Sequence, residues 1–328
     1  MLRSKALAAL CLALGMLAGP SGALAQAAPE TAGAALIFTD SRVVRTDHFS
    51  VEVAGQGPDV ILVPGLAASR ETWRATAERL RGAYRLHLVQ VAGFAGEPAG
   101  ANASGEVLVP TAEALDAYIV DQKLAPVIFV GHSMGGAMGL YIAENHPDHL
   151  KKLAIVDSPP FAPVIMGMGP EATVDGVRPM AEQMKGASIA AGDLAYAQML
   201  EPQLARMTSS PERRKLLLQW SLDSLRDAVA QGFYDTMMLD QRPGLARITA
   251  PVTVIFPDNV AVGMAPGMAE AIYADQYAAV ARLALAPIAN AQHFVMWDQP
   301  AAFAAALDAF LADAPASAPS AAPSRPAP

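Results

Sequence analysis

The chain has 328 residues, 53% of them hydrophobic and only 16% charged, with a formal charge of −8. That is the length of one large or two small domains, with ample apolar material for a core, which excludes a disordered polypeptide. The single cysteine, Cys11, excludes a disulfide scaffold, and the acidic balance argues against a nucleic-acid-binding surface.

The first residues read as an export signal. Arg3 and Lys5 precede an apolar run over residues 6–18 that is too short to span a bilayer, and Ala23-Leu24-Ala25 offers small residues to a signal peptidase. Residues 1–25 are therefore expected to be a signal peptide cleaved before Gln26, with the mature protein periplasmic or secreted. Cleavage removes two cations, no acids and Cys11, so the mature chain carries no thiol. No later apolar stretch reaches the length of a membrane span without a charge, Pro or Gly, so no integral membrane segment is expected in the mature form.

Further along, Phe49-Val51-Val53 alternates at period two and stops at Gly55-Gln56-Gly57-Pro58, the pattern of an antiparallel hairpin strand at a sheet edge. Short β-branched runs then predict buried strands over 60–63, 85–91, 127–130, 153–156, 252–256 and 283–288. Helical periods are predicted over 71–81, 111–123, 134–145 and 300–311. Strands alternating with helices imply right-handed βαβ units: an α/β fold with a mostly parallel sheet flanked by helices. The alternation breaks over 158–245, where helix formers and Pro-separated segments around Met180, Gln203 and Leu217 predict an inserted helical cap. The core is then 26–157 with 246–313. Residues 314–328, nearly all Ala, Pro and Ser, predict a disordered tail.

The chemistry is announced at the end of the third buried strand, by Gly131-His132-Ser133-Met134-Gly135-Gly136 followed directly by a helical pattern. A nucleophile on a sharp strand-to-helix turn needs glycine two residues to either side, because the turn brings backbone too close for a Cβ. Ser133 would project its hydroxyl at the carboxyl edge of the sheet, beside a helix N-terminus whose N–H groups favour negative charge.

With this motif in this setting, the chain from about residue 35 to 313 resembles the α/β-hydrolase family, in its serine esterase-like branch with a helical cap. The resemblance implies a nucleophile, acid and base in that chain order. Of six histidines, His48 and His87 lie upstream, His132 is the variable residue of the elbow, and His146 and His149 close a helix, where an imidazolium suits the dipole. His293 remains, in a segment (His293-Phe294-Val295-Met296-Trp297-Asp298-Gln299-Pro300) similar to the family's catalytic-histidine loop. Asp298 and Pro300 there look like a helix N-cap and first-turn proline. The implied acid is Asp258, on the loop expected after the fifth buried strand, with Asp157, before the cap, as the alternative. The implied oxyanion donors are the backbone N–H groups of Met134 and of Leu66, in Val63-Pro64-Gly65-Leu66-Ala67.

A serine at the elbow implies acyl transfer to water and excludes branches that need an aspartate nucleophile. The cap carries Met166, Met168, Met180, Met184, Met199, Met207, Met237 and Met238, side chains that fill helix cores or adapt to an apolar ligand. No Arg or Lys cluster near the elbow suggests a phosphorylated substrate. The expected substrate is a small or medium apolar carboxylic ester. A cofactor-free perhydrolase or haloperoxidase-like activity, C–C hydrolysis on the same triad, and a catalytically silent binding protein remain open alternatives. No cofactor is implied, and no metal, since no His/Asp/Glu cluster shows ligand spacing in the sequence.

Overall fold

The structure, a computed structural model, describes residues 34–258, 265 and 267–312. The expected signal peptide and tail lie outside the described residues. Eight strands form one sheet in the order β1-β2-β4-β3-β5-β6-β7-β8. They are β1 (Arg42–Arg45), β2 (Phe49–Gly55), β3 (Asp59–Val63), β4 (Arg85–Val91), β5 (Val127–His132), β6 (Leu150–Val156), β7 (Val252–Asp258) and β8 (Leu283–Ala289). The β1–β2 and β2–β4 pairs are antiparallel and the rest are parallel.

The β-branched runs of β3 to β7 sit mid-sheet because helices cover both faces there, whereas β8, expected to be buried, forms the second edge of the sheet and is mostly half-buried or exposed. In β3, Ile61 and Val63 pack into one apolar layer and Val60 and Leu62 into the other, all four with no exposed surface. The expectation that β2 is an edge strand needs correction: β2 lies between β1 and β4, and the four-residue β1 forms the edge. Arg42 and Arg45 close both ends of β1 with charge, which discourages further pairing. So short a strand leaves no period to read.

The helices of the sheet layers are α1 (Arg74–Leu80), α2 (Leu108–Asp121), α3 (Met134–Asn145), and, after the cap, α8 (Met268–Gln276), α9 (Val295–Asp298) and α10 (Pro300–Leu311). The helix expected over 71–81 divides into a 3₁₀ turn over Arg70–Trp73 and the shorter α1.

Between β6 and β7 there is no strand. Four α-helices fill the interval, flanked by a π-helical turn over Val164–Met168 and a 3₁₀ helix over Arg242–Arg247: α4 (Val174–Ala190), α5 (Asp193–Met207), α6 (Pro211–Asp223) and α7 (Arg226–Met238). Prolines read as separators lie inside two of them, Pro179 in α4 and Pro202 in α5. Pro211 does begin α6, where no intrahelical N–H bond is lost. The cap meets the sheet edge through α7: a Cβ built on Gly232 would come within 2.9 Å of Leu66 Cδ1 and 3.3 Å of Met134 Sδ.

Candidate active site

β5 runs straight into α3 through Ser133, the one residue between them. Ser133 has φ 52° and ψ −122°, a left-handed conformation that a non-glycine residue rarely adopts. The flanking glycines make the turn passable. A Cβ on Gly131 would stand 2.2 Å from the carbonyl oxygen of Gly135, and one on Gly135 would stand 2.5 Å from that of Val63. The elbow is pinned to its neighbour by the Ser133 N–H, which donates to the Val156 carbonyl at 2.9 Å. Met134, buried, opens α3, so its N–H has no partner one turn earlier in the helix.

The loop after β3 lies directly against Ser133: a Cβ on Gly65 would stand 2.9 Å from Ser133 Cβ and 3.4 Å from its Oγ. Ala67 bends that loop with φ 55°. Buried Gln90 fixes it, accepting from the Arg70 N–H (2.9 Å) and donating to the carbonyls of Ala68 (3.3 Å) and Phe94 (3.0 Å). Leu66, half-buried, thus stands beside Ser133 on a braced loop.

His293 follows β8. Its Nδ1 lies 2.5 Å from Asp157 Oδ2, so the carboxylate it meets is the alternative, Asp157, and not Asp258. The reason lies in the register. β6 is the neighbour of β5, His132 pairs with Val156, and the next residues along the two strands are Ser133 and Asp157. Ser133 and this carboxylate therefore leave the sheet at one level. Asp258 stands one strand farther out and three residues past Ile255, the partner of Val156. It does not leave the sheet at all: β7 continues through Pro257 and Asp258, paired with Ile288 and Ala289. The Asp258 carbonyl accepts from the Asn290 N–H at 3.1 Å, and among the described residues its buried Oδ1 has no partner.

Asp157 (φ 48°) is buried and receives a second hydrogen bond, from the Tyr273 hydroxyl of α8 at 2.6 Å. Burial, and then the charge of Asp157, push the Tyr273 hydroxyl well above its usual range, so it stays protonated and donates. Both carboxylate oxygens are thereby committed, one to the imidazole and one to the phenol.

His132, within the elbow, is fully buried with its ring centroid 4.5 Å from that of His293. Burial first, and then the neighbouring His293, hold it far below the usual imidazole range, hence neutral. Its Nε2 lies 3.1 Å from the His293 carbonyl. A carbonyl only accepts, so Nε2 carries the proton and the buried Nδ1 a lone pair without a partner. Residue 132 therefore anchors the backbone of residue 293. Among the described residues no hydrogen bond joins Ser133 Oγ to His293; the two halves of the site meet through this ring contact.

Asp298 is not the N-cap expected of it. Its carboxylate accepts from Thr208 Oγ1 (2.6 Å), the Ser209 N–H (3.0 Å) and the Gln292 N–H (2.8 Å), tying the α5–α6 turn of the cap to the histidine loop. Gln299 caps α10 without a side-chain bond. Tyr273, the anchoring role of His132 and the Asp298 tie escaped sequence reasoning. The one signal was Tyr273 and Tyr277 at i and i+4, which mark a helix face turned inward; Tyr277 indeed donates to the Ser158 carbonyl at 2.5 Å.

The cap methionines divide. Met237 is fully buried inside the cap, whereas Met166, Met168 and Met199 are exposed. Half-buried Leu66 and the buried side chains of Met134 and Phe94 gather instead under Gly232 of α7.

Comparison with known proteins agrees with this fold. A family model described as "Alpha/beta hydrolase family" matches residues 60–306. A curated relative from Vibrio vulnificus, a pimeloyl-[acyl-carrier protein] methyl ester esterase, is 31% identical over 34% of this chain and 41% of its own length. One of the same name from Chromobacterium violaceum is 28% identical over 63% of this chain and 77% of its own. The chain thus spans well under half the length of the first curated relative. Among solved structures, a hydrolase from Pseudomonas aeruginosa superposes with a TM-score of 0.66 at 18% identity, covering 83% of this chain and 98% of that one, which is a likeness of fold.

Proposed function

The chain belongs to the alpha/beta hydrolase family, and from that premise we propose that it is a serine hydrolase cleaving a small or medium apolar carboxylic ester. The observation that carries this reading is the juxtaposition at one sheet edge of a serine in a strained strand-to-helix turn and an imidazole held at Nδ1 by a buried carboxylate.

In the first step Ser133 Oγ attacks the ester carbonyl while His293 Nε2 takes its proton. Asp157 fixes the imidazole with its proton on Nδ1 and stabilises the imidazolium that forms. The tetrahedral oxyanion accepts hydrogen bonds from the N–H groups of Met134, at the start of α3, and Leu66, on the Gln90-braced loop; each such donor is worth about 3 kcal/mol to the transition state. Collapse breaks the bond to the alcohol oxygen, which leaves with the proton from His293. Water then attacks the acyl group on Ser133, giving its proton to His293, and release of the carboxylic acid returns that proton to Ser133.

Leu66, half-buried beside Ser133 and backed by buried Met134 and Phe94, offers the substrate an apolar wall without charge, which favours a neutral acyl group. The methyl ester named for the curated relatives supports a small alcohol portion. A p-nitrophenyl ester panel of rising acyl length tests this: turnover should be highest at short or medium chains and vanish in Ser133→Ala. Equal turnover in Ser133→Ala would reject the reading.

We also propose export to the periplasm or beyond, on the basic, apolar and small-residue segments of residues 1–25. N-terminal sequencing of the protein from extracytoplasmic fractions should begin at Gln26; an intact Met1 end in the cytoplasm would contradict it.

A further inference from the structure

At the other end of the elbow helix from Ser133, two imidazoles converge on one carboxylate. His146 follows α3, and His149 lies three residues on, in a turn closed by the His149 N–H donating to the His146 carbonyl at 3.0 Å. Asp116 comes from α2 and is nearly fully buried. Nδ1 of His149 is 2.7 Å from Asp116 Oδ1, and Nδ1 of His146 is 3.4 Å from Oδ2. The two rings are parallel to within 8°, with centroids 5.4 Å apart. One donor atom from each of the three residues lies within 4.8 Å of the others.

We propose that Asp116, His146 and His149 form a binding site for a borderline divalent transition-metal ion such as Zn²⁺. The chemistry of the donors suits it: two imidazole nitrogens and a carboxylate oxygen, bonding at about 2.0–2.2 Å, stand about 3.4 Å apart around a tetrahedral ion. On binding, the His149–Asp116 pair at 2.7 Å would open and the more distant donors, now within 4.8 Å, would close toward that spacing. Both imidazoles are about 30% exposed, which leaves the outer coordination positions to water.

Three features prepare the site. The Glu113 carboxylate, held by the Tyr141 hydroxyl at 2.6 Å, stands 3.4 Å from His146 Nε2, close enough to become its partner once Nδ1 binds an ion. Carboxylates commonly take this role behind metal-bound imidazoles. The turn itself is fastened, with the His149 carbonyl accepting from the Val127 N–H (3.0 Å) and the Pro147 carbonyl from Thr249 Oγ1 (2.9 Å). Finally, the C-terminal end of α3 supplies the negative pole of its dipole. Sequence spacing hides the site because the carboxylate is carried on a different helix. A 12-residue helix places it about 18 Å from Ser133, so the ion braces the end of the elbow helix and takes no part in ester chemistry.

The test uses the untagged, chelator-treated chain, titrated with ZnCl₂ by calorimetry and followed by thermal melting. One ion should bind and the Tm should climb with Zn²⁺ concentration, while Mg²⁺ leaves it unchanged. His146→Ala and the hydrogen-bonding variant His149→Gln should each weaken Zn²⁺ binding at least tenfold while keeping metal-free ester turnover, which shows that they fold. A wild-type Tm unmoved up to about 1 mM Zn²⁺, or a shift that survives in the variant lacking both imidazoles, would overturn the proposal.

Discussion

Two aspartates compete for His293 in the sequence, and what separates them is where each strand ends. Asp157 follows β6 and reaches Nδ1 at 2.5 Å; Asp258 stays in the β7–β8 ladder. Asp157→Asn should therefore lower kcat by about 10⁴-fold, as the imidazole loses the partner that sets its tautomer. Asp258→Asn should leave kcat within a few-fold; steady-state kinetics on one ester distinguishes the two, and the opposite ranking would return the role to Asp258. Tyr273→Phe removes the second bond to Asp157 without touching substrate, so kcat should fall about tenfold with KM unchanged, an effect near 1.4 kcal/mol. Ser133 and the candidacy of His293 were legible because their signals are local: glycines around a serine between strand and helix, and a histidine just before a final helix. Which of the two carboxylates meets His293 was not, because that depends on which strand stops at the level of the elbow, and that register is a property of the assembled sheet.

Elements matter to the site through their joints. Asp298 binds the α5–α6 turn and the Gln292 N–H with one carboxylate, and the Phe294 N–H adds a bond of 2.8 Å to the Met207 carbonyl. Asp298→Ala should free the segment around Thr208 and lower kcat/KM. Limited proteolysis should show faster cleavage near residues 207–212, and an unchanged digestion pattern would show that the joint is held elsewhere. The same segments show why element boundaries were only partly readable. Predicted runs over 85–91, 134–145 and 300–311 coincide with β4, α3 and α10. Pro179 and Pro202 misled because packing within the cap outweighs a single lost backbone hydrogen bond. Asp298 preceding Pro300 has the composition of a cap, and only the tertiary arrangement gives its carboxylate better donors.

For the whole molecule, the doubly covered sheet was legible from β-branched runs alternating with helical periods, since both signals are set by the layers that must be buried. One buried carboxylate bears on overall stability. Burial pushes Glu144 of α3 up to about 7, against the pull of Arg247 at 3.7 Å and with a small push from Asp240. The fold thus favours its protonated form, so this contribution is complete below the unfolded value near 4.5 and is lost as pH rises through about 7. Glu144→Gln should melt a few degrees above wild type at pH 8 and no higher at pH 4; equal melting at both would show that the charge is well accommodated. The most direct test of the hydrolytic machinery is labelling by a fluorophosphonate at neutral pH, mapped by mass spectrometry. One adduct is expected, on Ser133, forming at least about 10³-fold more slowly in His293→Ala and Asp157→Asn but at the wild-type rate in Asp258→Asn. An adduct on another residue, or a Ser133 that stays unmodified while the protein turns over esters, would contradict it.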